Sequence, residues 1–138
     1  MTRQEFSQKI ADYRKQSGLT MKEICFKLSC LPGDVYRIER GTYGYNLQKC
    51  LSYLDALNLE LIINISKKKV RITDYGKLVE AISHLRAENC SLRAFAEAIK
   101  GSYVAVSNFE NQKTIIKIDT LLKYADALDF TLDVTPKK

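Results

Sequence analysis

Arg37 and Asn108 stand 71 residues apart, each on the polar side of a short apolar-patterned segment. A guanidinium fork suits the paired acceptors that guanine shows in the major groove, and a carboxamide suits the donor and acceptor of adenine. Their neighbours complete two sets at the same spacing: Pro32, Gly33, Asp34 and Tyr36 beside Arg37, and Tyr103, Val104, Ala105 and Ser107 beside Asn108. Val104 and Ala105 are of the type that touches a thymine methyl. Thr20, Lys22, Arg40, Thr42 and Tyr43 flank the first set, and Ser91, Arg93, Lys100 and Lys113 the second. These hydroxyls and cations suit phosphate oxygens. This is the chemistry of recognition, not of catalysis. The chain holds no Gly-rich phosphate loop, no paired-carboxylate motif and no nucleophile signature, and His84 is its single histidine. Neither an enzyme activity nor a cofactor is expected.

The elements that must carry these residues follow from spacing and caps. Phe6, Ile10 and Tyr13 recur at helical intervals and predict a first helix over 2–17, ended by Ser17-Gly18. Thr20 with Glu23 forms a capping box for a second helix carrying Ile24 and Leu28. Leu31-Pro32-Gly33-Asp34 opens a third, running through Val35, Ile38 and Glu39 to Arg40-Gly41, with proline where its missing N–H costs little. Asn46 caps a fourth over 47–57, with Leu47, Cys50, Leu51 and Leu54 facing inward. Leu59, Leu61, Ile63 and Ile65, alternating with Glu60, Ile62 and Asn64, then read as a strand buried on one face.

That order comes twice. YLDALNLEL at 53–61 returns as YADALDFTL at 124–132, with five identities. Leu78, Ile82 and Leu85 mark another first helix; Ser91 and Ser102 cap the next two; a fourth runs over 118–128 and a strand over 130–135. One residue is dropped between the first two helices, since Arg14 matches Arg86 whereas Thr20 matches Ser91. The expected organisation is a unit over 1–65, a basic linker over 66–72 holding Lys67, Lys68, Lys69 and Arg71, and a second unit over 73–138. Units this small are marginal alone, and an unpaired strand is costly when buried. Strand 59–65 therefore pairs with 130–135, within one chain or between two, as a small antiparallel ribbon.

A net charge of +6 favours a polyanionic partner, mildly. No apolar run is long enough for a membrane span, and the charged opening residues read as a helix rather than a signal peptide. Cys25, Cys30, Cys50 and Cys90 form no C-x-x-C pair, so no metal site is expected. Cys25 and Cys50 read as small buried residues in a reducing cytoplasm.

The segments Leu19–Gly41 and Cys90–Gln112 each hold two short helices joined by a tight turn. Both resemble the helix-turn-helix of the phage-repressor (Cro, XRE) family, and RIERG at 37–41 is similar to that family's frequent ending of its recognition helix. The resemblance implies a mainly all-α chain of two tandem lambda-repressor-like helix-turn-helix domains, each closed by one strand. The layout is similar to a HipB-type antitoxin dimer fused into one polypeptide. By that resemblance the base-contact residues are Gly33, Asp34, Tyr36, Arg37, Tyr103, Val104, Ser107 and Asn108. The two heads would enter successive major grooves about 34 Å apart and, being unequal, would favour a non-palindromic site. The chain departs from the family in carrying Met21 and Leu92 where glutamine is frequent, and Gln112 where the first copy has Gly41. Asn111 or Gln112 must then take the turn. The alternative function is a protein-interaction module, antitoxin-like, whose partner is a toxin-like protein or a second copy of the chain.

Overall fold

The computed structural model describes residues 1–137. Four helices, α1 (Arg3–Ser17), α2 (Met21–Leu28), α3 (Pro32–Arg40) and α4 (Leu47–Ala56), lead into a hairpin of β1 (Leu59–Ile65) and β2 (Lys68–Ile72). Four more, α5 (Tyr75–Asn89), α6 (Leu92–Ala98), α7 (Tyr103–Glu110) and α8 (Ile118–Leu128), lead into β3 (Phe130–Pro136). The chain is mainly helical, with one antiparallel sheet in the order β2-β1-β3.

The helices begin where side chains can satisfy their free N–H groups. Thr20 and Glu23 form the capping box of α2, Asn46 accepts from the amides of Gln48 and Lys49, and Asp74, Ser91 and Ser102 accept at the starts of α5, α6 and α7. α3 has no side-chain cap and starts on Pro32 instead. Three pairs of non-helical residues share the left-handed conformation at the 71-residue spacing: Ser29 and Lys100, Gly41 and Gln112, Asn58 and Asp129. Gln112 thus takes the turn that Gly41 takes in the first half. Gly18 has no such counterpart, because α5 runs directly into extended Cys90; this is where the dropped residue falls.

Residues 66–72 are not a linker. A two-residue turn, Ser66 (φ 54°) and Lys67, folds β2 back on β1, from Ile65 opposite Lys68 to Leu61 opposite Ile72. The lysine run masks a period-two pattern in which Val70 is half-buried and Ile72 is buried beside exposed Lys69 and Arg71. Lysines on an edge strand also discourage further strand addition. The ribbon of two strands is accordingly a sheet of three.

β1 and β3 pair over Leu59–Pro136 to Ile65–Phe130, a register centred on Ile62 opposite Asp133. Those two residues are themselves 71 apart. A second antiparallel contact is centred on Asn46 and Lys117, also 71 apart. There Leu47 N–H donates to Ile116 O at 3.0 Å and Ile118 N–H to Tyr45 O at 2.9 Å. Each contact is thus centred on two residues at the 71-residue spacing. One core runs through both halves and the sheet, from Phe6, Ile24, Ile38 and Tyr53 through Leu61 and Val134 to Phe95, Phe109 and Tyr124.

Candidate nucleic-acid interface

In the first half, residues 29–31 separate α2 from α3, and in the second, 99–102 separate α6 from α7. The hinge side of each pair is apolar: Ile24, Cys25, Val35 and Ile38 are buried, as are Phe95, Ala96, Val106 and Phe109. The opposite side of α3 and α7 is therefore forced outward. Gly33, Asp34, Tyr36 and Arg37 are exposed on α3; Tyr103, Val104 and Ala105 are exposed on α7, while Ser107 and Asn108 are half-buried.

Among the described residues neither Arg37 nor Arg40 enters an ion pair. Arg40 lies over the Tyr36 ring, 4.7 Å from its centroid, leaving Arg37 the unengaged cation of the helix. In the second half Arg93, from α6, lies 5.7 Å from the centroid of Tyr103. Cation and ring attract through the ring's negative face. Ser107 Oγ accepts weakly from Asn111 Nδ2 at 3.3 Å, whereas the Asn108 carbonyl accepts from Lys113 N–H at 2.8 Å and leaves its carboxamide out of that turn.

The flanking hydroxyls are partly committed. Thr20 Oγ1 accepts from Glu23 N–H and donates to Glu23 Oε1, so its phosphate-binding capacity is largely spent within the capping box. Among the described residues Ser91 Oγ accepts only from Ala94 N–H. Lys22, Arg40, Thr42 and Tyr43 are exposed around α3, and Arg93, Lys100 and Lys113 around α7.

Three interactions position these surfaces, and none is visible in the motif. Arg14 of α1 donates to Glu39 Oε1 of α3 at 2.7 Å and to the Leu19 carbonyl at 3.1 Å. Arg86 of α5 grips Glu110 of α7 through two bonds, at 3.0 and 2.8 Å, and the Cys90 carbonyl at 3.0 Å. Each arginine thus ties the first helix of its half to the end of the exposed one. Both guanidinium pKa values are raised, chiefly by the hydrogen bond to the carboxylate. Tyr53, in the core beside the first pair, has its hydroxyl pKa raised by burial first and by the Glu39 charge second. The only sequence signal for these pairs is that both partners recur between the halves.

The third interaction crosses the halves. Arg3 donates to both carboxylate oxygens of Asp119 at 2.8 and 2.7 Å, and to the carbonyls of Gly41 and Thr42 at 2.8 and 2.9 Å. It binds the loop after α3 to the first turn of α8. Tyr75 holds only the loop after α7, within its own half, donating to the Thr114 carbonyl at 3.1 Å and accepting from Ile116 N–H at 3.0 Å.

A helix-turn-helix family model matches residues 85–134, from the end of α5 into β3. The match falls on the half that ends its exposed helix in NFENQ, not on the half with RIERG that carries the stronger resemblance by motif. No curated protein sequence and no solved structure matches the chain. No helix among the described residues is long and apolar enough to cross a membrane.

Proposed function

We propose that this chain is a DNA-binding transcriptional regulator of the Cro/repressor (XRE) type, built by internal duplication. It works as a two-headed unit with α3 and α7 as unlike recognition helices. The family match over 85–134 supports one head. The observation that carries the second is the pair of self-complementary contacts, centred on Ile62–Asp133 and Asn46–Lys117, which relate the two halves as a dimer interface would. Arg37 reads one half-site from an exposed, unengaged position, and Asn108 reads the other. The cations around each helix hold phosphates.

Titration of random and selected duplexes against salt tests this. Contacts to phosphate release counterions, so affinity should fall linearly on a log–log plot with a slope of about −0.9 for each phosphate neutralised. Selected sites should be non-palindromic. Absent or salt-insensitive binding would sink the proposal.

A second reading, an interaction module for a partner protein, rests on one asymmetry. Phe26 is 87% and Leu31 74% exposed, and the residues at their places in the second half are Glu97 and Ser102. These two side chains, with Tyr103 and Val104 exposed on α7, favour a protein contact, beside or instead of DNA.

A further inference from the structure

The halves differ under their exposed helices. Beneath α3 lies a cavity of about 330 Å³ with a floor of Leu28, Val35, Ile38 and Tyr53. The corresponding residues in the second half are Ile99, Val106, Phe109 and Tyr124. Three of the four exchanges nearly preserve volume. The fourth puts a ring in place of Ile38: Phe109 meets Tyr124 edge-on at 5.3 Å, and Phe95, in place of Ile24, meets the same tyrosine at 5.0 Å. Ile38 on the cavity floor thus stands where the second half carries a member of an aromatic cluster.

From its apolar floor and the charges at its rim we infer that the cavity under α3 is a binding site for a small organic molecule with an apolar body and a zwitterionic head. Its volume lies within the usual range for such sites, about 300–1,000 Å³. The floor is apolar and supplies hydrophobic contact. The rim carries Asp34 on α3 and Lys49 on α4, both exposed. One charge of each sign disfavours a simple anion or cation and suits a head that carries both. Asp34, Val35 and Ile38 all belong to α3, so an occupant acts on the helix proposed to read DNA. That consequence rests on the function proposed above; the site itself does not.

The chain has no tryptophan, so indole emission reports on a ligand alone. L-tryptophan and indole serve as probes of the folded full chain, without DNA. The expected result is saturable binding of both, tighter for L-tryptophan, with methyl resonances of Leu28, Val35 and Ile38 shifting on titration. Ile38→Phe, which installs the residue of the second half, should weaken binding at least tenfold; Ser52→Phe at the exposed mouth should do the same without entering the core. No saturable binding up to millimolar probe, or binding that survives both substitutions, would overturn the site. Equal affinity for the two probes would overturn the zwitterionic head. With DNA present, saturating L-tryptophan should change affinity at least fivefold, the lower end of ordinary coupling between sites. Unchanged affinity with probe binding intact would overturn only the coupling.

Discussion

Arg14 and Glu39 lie 25 residues apart in the chain and 2.7 Å apart in space, joining α1 to the last turn of α3. Their side chains are only 16% and 7% exposed. A pair this sheltered is costly to break, because removing one partner strands the other charge. Arg14→Ala should therefore destabilise the protein by about 3 kcal/mol, read as a shift in the urea midpoint at unchanged slope. Arg86→Ala, which strands Glu110, should cost about as much. A loss below about 0.5 kcal/mol in either, the level of an exposed pair, would mean these arginines position nothing.

The two glycines at the ends of α3 separate folding from reading. A Cβ on Gly41 would meet Ser7 Oγ at 2.8 Å and the Arg3 carbonyl at 3.2 Å, at φ 62°. Gly41→Ala should cost about 1–3 kcal/mol from backbone strain alone. Gly33 has nothing within 4 Å of the same atom. Gly33→Ala should leave the thermal midpoint unchanged or raise it, since alanine is the better helix former by about 1 kcal/mol. Any loss of DNA affinity in that variant would then arise at the interface itself.

Alkaline stability should be carried partly by Tyr124. Burial pushes its hydroxyl from 10.0 up to about 12. Below pH 10 both folded and unfolded states hold the proton, and the contribution is fully present. Between 10 and 12 the unfolded chain loses it first, so stability falls by about 1.4 kcal/mol per pH unit for this group. Unfolding free energies measured from pH 9 to 12 should show wild type losing stability relative to Tyr124→Phe as pH rises. Parallel curves would exclude this residue as a source of the loss.

The proposed function assigns Arg37 and Asn108 to different half-sites. Arg37→Ala should relax base preference in one half-site, and Asn108→Ala in the other, by about 1–3 kcal/mol each. Site selection from random duplex reads both. Unchanged preference in the two variants would assign base reading to other side chains.

Lys22→Gln and Lys113→Gln should instead weaken binding to all sequences alike and reduce the salt slope by about one each. A change in preferred sequence would move them from phosphate to base contact.

The helices, their starts and the spacing of 71 were legible in the chain because caps and periodicity are short-range. Thr20 with Glu23, Asn46 and Ser91 act within one turn of their own backbone. The alternation at 59–65 declares a strand, but not that Glu60 and Ile62 on its second face are also buried. The lysines at 67–69 hid β2, since their charge outweighs the two apolar residues that show its period, Val70 and Ile72. Other features exist only once distant segments meet. Arg3 finds Asp119 across 116 residues, and no local pattern marks either as a partner. The centring of two contacts on residues 71 apart is a fact of register. The cavity under α3 exists only where Leu28, Val35, Ile38 and Tyr53, from three helices, come together. Sequence determined what each segment is, through interactions closed within a few residues. Tertiary structure alone decided which segments meet, because burial and ion pairing depend on neighbours that the chain order does not name.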